Sequence, residues 1–436
     1  MKDKRELRQK GIQRFREERD WYSFLIEAMK QDPSEEMELS RQVTQMVVDN
    51  YDWMIKCVEE DRPFIASYFC LAPEIYTAMD LPWYMLMQTP FLSVSFPFLL
   101  DDIDNSVKMG LGTDLCTALR LSAYYVEAEL MPPPYAVIGL LHPCDGAPML
   151  HQMIRHNENW RDIPHFACDP PYFDDKRSIG YFAQELRRMV SFIEDSTGLR
   201  LDMDRLCEVI QESNKQYALW AEYNELRRAI PCPHGYGLGG GQCFGITEVF
   251  KAGRPEGTQW FRDLVDHTER KVAAGLGGMP TDERIRVFWF DIRPVAWLFE
   301  VLPWLEEEWG ANIVMDMFAY TPYKSIDTST EESMFKGLAE RSLLHSPMIR
   351  QARGVADNFI NDIVRVVKDY KIDCVIWPGH MGHKDGSASV GMMREVCRDL
   401  GVPFMTLGLD LFDSRYMKVD EMKDKMSQFF TAMGMG

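Results

Sequence analysis

No two of the ten cysteines form a CxxC pair, and none follows the short regular spacings of zinc ribbons or ferredoxin-type clusters. Spacing therefore identifies no metal site, and any cluster would have to gather cysteines that are distant along the chain. A disulfide framework is not expected in a large chain without a secretory leader. Cys207 and Cys397 sit in helical patterns and Cys374 opens an apolar strand, so most cysteines read as small buried residues. Positive charge is also in deficit: 48 Lys and Arg face 67 Asp and Glu, a formal charge of -19. General nucleic-acid binding needs clustered cations and is excluded, whereas a small anion needs only a local positive site. The longest apolar run, "FLSVSFPFLL" from Phe91, is about half the ~20 residues that a membrane-spanning helix requires. The basic opening "MKDKRELRQKGIQRFREER" leads into no long apolar core, so neither a signal peptide nor an anchor is expected, and the address is cytoplasmic. Internal repeats and low-complexity tracts are missing as well.

What the chain does have is alternation. At 436 residues, 46% hydrophobic and 26% charged, it exceeds one ordinary core. Residues 1–60 read as helices, with "RELRQKGIQRFREERDWYSFLIEAM" broken at Asp32-Pro33-Ser34 before a second helix. "RPFIASYF", "FLSVSFP", "YAVIGLL" and "IPHFAC" then suit buried strands, separated by helical stretches. A strongly helical middle ends at "PCPHGYGLGGGQCFG", and a second alternating unit runs from "RIRVFWFDI" through "NIVMDMF" and "CVIW" to "VPFMTLGLDLFDSRY". The pattern predicts an α/β fold of two doubly wound parallel-sheet domains with helical N-terminal and connecting sections. The expected division is N-terminal helices over 1–60, a first α/β domain over 61–230, a glycine-rich loop and helical connector over 231–283, and a second α/β domain over 284–436.

Ligands in such sheets bind beyond the carboxyl ends of the strands. Three loops qualify. "GLLHPCDGAP" follows the strand "YAVIGLL" and carries Cys144, either a metal ligand or an incidental residue of a turn. "PGHMGHKDGSAS" follows "CVIW". There His380 and His383 can ligate metal or move protons, and Lys384 beside the free N–H groups of a helix start makes an anion site. Ser387 is a candidate cap and ligand contact, and a solvated turn is the plain alternative. "PCPHGYGLGGGQC" lacks the strand-then-helix setting of a dinucleotide fingerprint and reads as lid or linker.

The loops in this order resemble the 2-hydroxyacyl-CoA dehydratase and benzoyl-CoA reductase superfamily, from about Arg62 onward. The most specific stretch is "CVIWPGHMGHKDGSASVGMMREVCRDLGVPFMTLGLDLFDSRY". Within it Asp410, Asp413, Arg415 and Tyr416 match an acidic pair before an Arg-aromatic step, with Ser414 where proline is usual. "TDLC", "MPPPYAVIGLLHPCDG" and "IPHFACDPPYFD" resemble upstream segments. The resemblance implies a subunit of two flavodoxin-like domains that pairs with a related second subunit around [4Fe-4S] clusters. An ATP-hydrolysing iron–sulfur activator protein would inject an electron. The reaction is then radical dehydration of a (R)-2-hydroxyacyl-CoA or reduction of an aromatic acyl-CoA, because one-electron reduction of the thioester acidifies an otherwise inert proton. Cys144 matches the first cluster cysteine. The second ligand region corresponds to "DIRPVAW" and the third to "GHMGHKDGS", and neither contains cysteine. On this reading Cys144 is the metal ligand, His383 and Lys384 lie near the reacting group, and His380 and Ser387 contact substrate. A cysteine from elsewhere, such as Cys168 or Cys243, would complete an unusual cluster, and Cys116 reads as packing. Two alternatives stand beside it: a non-catalytic partner subunit without a cluster, and a zinc enzyme using Cys144 with histidines.

Overall fold

A computed structural model describes residues 3–92, 96, 98–142, 144–293, 299–347, 349–353 and 356–435. Among the described residues, eight strands form two parallel four-stranded sheets. The first contains β1 (Ile65–Ser67), β2 (Trp83–Met85), β3 (Ala136–Leu140) and β4 (His165–Cys168) in the order β2-β1-β3-β4. The second contains β5 (Ile285–Trp289), β6 (Ala311–Asp316), β7 (Cys374–Trp377) and β8 (Phe404–Thr406) in the order β6-β5-β7-β8. Both therefore wind outward from their first strand in the same sense, as the alternation predicts: an α/β, doubly wound fold in two domains. The central strands β3, β5 and β7 are buried along their whole length, which is why their sequences run apolar without alternation. The outer strands β4 and β8 are only partly covered.

Two details differ from the sequence expectation. β2 was not anticipated, because its three residues lie in a Met- and aromatic-rich stretch with no polar punctuation, and its pairing to β1 (Ile65↔Trp83) is decided by tertiary contact. The strand expected at Phe91–Pro97 does not begin as one: Phe91 and Leu92 end the short helix Gln88–Leu92, and residues 93–95 and 97 lie outside the described residues.

The N-terminal helices Lys4–Met29 and Glu35–Glu59 pack on each other and onto the first domain. The long helices Met203–Leu226 and Pro255–Ala273 pair in the middle, where Trp260 donates its indole N–H to the Leu39 carbonyl at 2.9 Å. A buried polar knot joins these parts. Arg341 donates to Glu74 of the first domain (2.6 Å) and to Ser213 of the middle helix (2.7 Å), and Ser213 donates to the same carboxylate. Removing one member of such a group strands a buried charge, so the knot fixes how the parts meet.

Helix Lys4–Met29 contains Gly11, where a Cβ would lie 2.3 Å from the Pro132 nitrogen and 2.4 Å from the Met131 carbonyl carbon. Gly11→Ala gains about 1 kcal/mol of helix propensity but drives Cβ into backbone that has nowhere to move. The clash wins. Chemical denaturation should show a net loss of about 1–3 kcal/mol, and a stabilised variant would contradict this packing.

Candidate functional site

In this strand order the crevice opens between the first and third strands of each sheet, where connections leave to opposite faces. The chain has two such crevices, and loops from both line one pocket. From the first sheet come Tyr68 and Phe69 after β1 and Cys144 after β3; from the second come Ile292 after β5 and His383 after β7. Cys116, which precedes helix Thr117–Glu127, faces the same space, with Met87 and Phe91 completing an apolar wall. The close approach is allowed by Gly382, whose missing Cβ would sit 2.4 Å from the Cys116 Cα.

The polar heart is a buried pair. His383 Nδ1 lies 2.8 Å from Asp291 Oδ1, the side chains 7% and 0% exposed. The same oxygen accepts the Ile292 N–H at 2.7 Å, so Asp291 at the end of β5 orients the imidazole that follows β7. Burial disfavours the His383 cation, yet the Asp291 carboxylate outweighs it and holds the imidazole above its ordinary value. His380 behaves oppositely. Burial, reinforced by the neighbouring His383, pushes it down to about 3. The two rings meet edge to face at 4.8 Å, and His380 Nε2 lies 3.5 Å from Cys116 Sγ. One histidine is set up to carry a proton and the other to stay neutral.

The thiols are quiescent. Burial pushes Cys144 up to about 11 although the Gly146 and Ala147 amides favour its thiolate, and burial raises Cys116 further. Neither is an activated nucleophile at neutral pH, so only metal coordination would deprotonate them. Asp385, buried next to His383, is raised to about 6.

The remaining candidates build the frame. Lys384 Nζ bonds Asp145 at 2.7 Å and Asp114 at 2.9 Å, tying the start of helix Lys384–Asp399 to the Cys144 loop at the pocket rim. Ser387 is exposed on the first turn of that helix, away from the pocket lining. Asp410 accepts the Phe412 and Asp413 N–H groups and the Thr117 hydroxyl, the last at 2.5 Å. Arg120 donates to Thr117 in turn, at 2.8 Å. Arg415 bridges Asp413 and Asp104, and the Tyr416 hydroxyl donates to Met381 Sδ. The C-terminal signature thus braces the second domain against the first around the pocket.

A family model described as 2-hydroxyglutaryl-CoA dehydratase, D-component, matches residues 70–433. The chain belongs to this dehydratase family. It is also similar to the alpha subunit of (R)-2-hydroxyglutaryl-CoA dehydratase from Acidaminococcus fermentans, at 23% identity over 311 residues, 70% of this chain and 61% of that protein. The match therefore spans about three-fifths of the relative's length.

A [4Fe-4S] cluster held by three thiolates of this chain does not fit the residues present. Where loops of the two domains converge, the described residues offer two thiols, Cys116 and Cys144, beside His380, His383 and Asp291, and the last two are bonded to each other. Among the described residues no trio of Cys, His or carboxylate atoms gathers here closely enough to hold one ion. Residues 294–297 of "DIRPVAW" lie outside the described residues, as does Pro143. Sequence reasoning had not singled out Asp291 as the histidine's partner, nor Cys116 as a pocket residue. A carboxylate directly after a buried strand was the available signal for Asp291. For Cys116 the resemblance of "TDLC" to a family segment was the available signal, but its neighbour Gly382 is remote in sequence and the residue read as packing.

The buried pair has a testable pH signature. Because the folded His383 titrates above its unfolded value of about 6.5, the stability it contributes is fully present below that pH. It is lost as pH rises through the folded value. In Asp291→Asn the His383 resonance followed by NMR should titrate lower than in the wild type. The stability gap between the two proteins should narrow from pH 6 to pH 9, whereas a pH-independent gap with an unshifted titration would contradict the pairing.

Proposed function

We propose that this chain is a subunit of an ATP-activated dehydratase that removes water from a (R)-2-hydroxyacyl-CoA thioester, and that a related second subunit carries the iron–sulfur cluster. The observation that carries the reading is the convergence of both crevices on one apolar, thiol-lined pocket with a proton-carrying histidine at its base. Dehydratase is favoured over aromatic-ring reductase because the matched family and relative are both named for dehydration.

In this reading the apolar wall around Phe69, Met87 and Phe91 takes the acyl chain and keeps water out, which strengthens the electrostatics of the site. Dehydration removes a proton from the acyl chain and a hydroxyl group from its carbon 2. His383, with Nδ1 fixed on Asp291, offers Nε2 as the group that takes or returns a proton. Lys384 and His380 hold the loop that presents it. A zinc enzyme built on Cys144 and histidines is the other reading, favoured by the approach of His380 to Cys116, but among the described residues it finds no third donor within reach of one ion.

The test is co-purification, without oxygen, of this chain with its second subunit, followed by ATP- and activator-dependent turnover of a panel of (R)-2-hydroxyacyl-CoA thioesters. His383→Gln should lower kcat about 10²–10⁴-fold, the usual worth of a positioned acid–base group, while subunit assembly is unchanged. Full activity in His383→Gln removes the histidine from the chemistry. Turnover of aromatic acyl-CoA alone replaces dehydratase by reductase.

A further inference from the structure

Away from the pocket, three elements bring Glu36, His234 and His267 together. Glu36 lies in the first turn of helix Glu35–Glu59, His234 follows the middle helix in the glycine-rich loop, and His267 lies in helix Pro255–Ala273. One donor atom from each falls within 4.8 Å of the others. Hydrogen bonding fixes the tautomers. Thr268 spends its only proton on the Leu264 carbonyl (2.6 Å), so at 2.9 Å its oxygen accepts from His234 Nε2. His234 Nδ1 is then the lone-pair nitrogen. The Glu35 carboxylate accepts from His267 Nδ1 at 2.6 Å, so Nε2 is the nitrogen that faces Glu36 and carries a lone pair whenever the ring is neutral.

Both free nitrogens are buried without a hydrogen-bond partner, and His234 is fully enclosed. Both face Glu36 Oε1, His234 Nδ1 at 3.6 Å and His267 Nε2 at 3.5 Å. A carboxylate oxygen flanked by two imidazole nitrogens is satisfied either by a proton on a ring or by a metal cation that takes both nitrogens and the oxygen as ligands. Ligand atoms on a tetrahedral zinc lie about 3.4 Å apart, close to the spacing found. Each histidine is also anchored through its other nitrogen, one by a carboxylate and one by a hydroxyl, as metal-bound histidines are. Lys271 places its ammonium on the same Glu36 oxygen, a flexible cation that competes with a metal for that ligand.

We infer that Glu36, His234 and His267 form a binding site for a divalent transition metal, zinc first, that clamps the N-terminal helices to the middle of the chain. Glu35 positions His267, and Lys271 competes with the ion. Imidazole and carboxylate ligands suit zinc better than magnesium or calcium.

The experiment strips the full chain with chelator and titrates it with zinc alone, reading stoichiometry by elemental analysis, affinity by calorimetry and ligand type by X-ray absorption. One zinc per chain with only nitrogen and oxygen neighbours is expected. His267→Gln and Glu36→Gln should weaken binding at least 100-fold, and Glu35→Gln should weaken it 10–100-fold, as loss of a supporting carboxylate does. Lys271→Met removes the competitor and should tighten it. No stoichiometric zinc, sulfur among the neighbours, or unchanged affinity in Lys271→Met overturns the site. The last reading is a gain and does not depend on a variant that fails to fold.

Discussion

A carboxylate that is completely enclosed must be met by a donor, because leaving the charge unpaired costs several kcal/mol. Asp291 sits at the end of β5 and is met by His383 beyond β7, so the requirement joins neighbouring strands of the second sheet across its crevice. The rest of the site follows from that link. With His383 held, its loop lays Gly382 on the Cys116 backbone and closes the pocket against the first domain. The braces from Asp410 to Thr117 and from Lys384 to Asp114 and Asp145 then hold the rim.

Much of the architecture was legible in the sequence. Continuous apolar runs separated by helical periodicity signalled parallel strands covered on both faces, and loops after those strands line the pocket. The short β2 was hidden because three residues carry no periodicity and its pairing to β1 is set by packing. Within the site, His380, His383 and Cys144 could be chosen by position alone. Their roles could not: burial separates the two histidines in proton affinity, and Asp291 decides which of them carries charge. Lys384 looked like a free cation in a loop, yet both of its carboxylate partners come from the first domain.

The histidine cluster on Glu36 was illegible for the same reason. His234 lay in a loop that read as linker, and His267 and Glu36 are on helices far from it in sequence. Only the fold brings their lone pairs together. The two sites divide the work of the chain: one shapes a dry pocket between the domains, and the other pins the outer helices that cover them. In both, a buried imidazole is turned by a carboxylate, and the surroundings decide whether a proton or another cation completes the arrangement.

Under the function proposed above, the Asp291–His383 pair occupies the point where loops of the two domains converge, and this chain shapes the site without holding iron itself. The most direct measurement is iron and acid-labile sulfide per chain in the isolated protein purified without oxygen, repeated for Cys144→Ala and Cys116→Ala. The account predicts no stoichiometric iron or sulfide in any of the three. About four of each per chain in the wild type, lost in Cys144→Ala, would contradict it and put a cluster on this subunit.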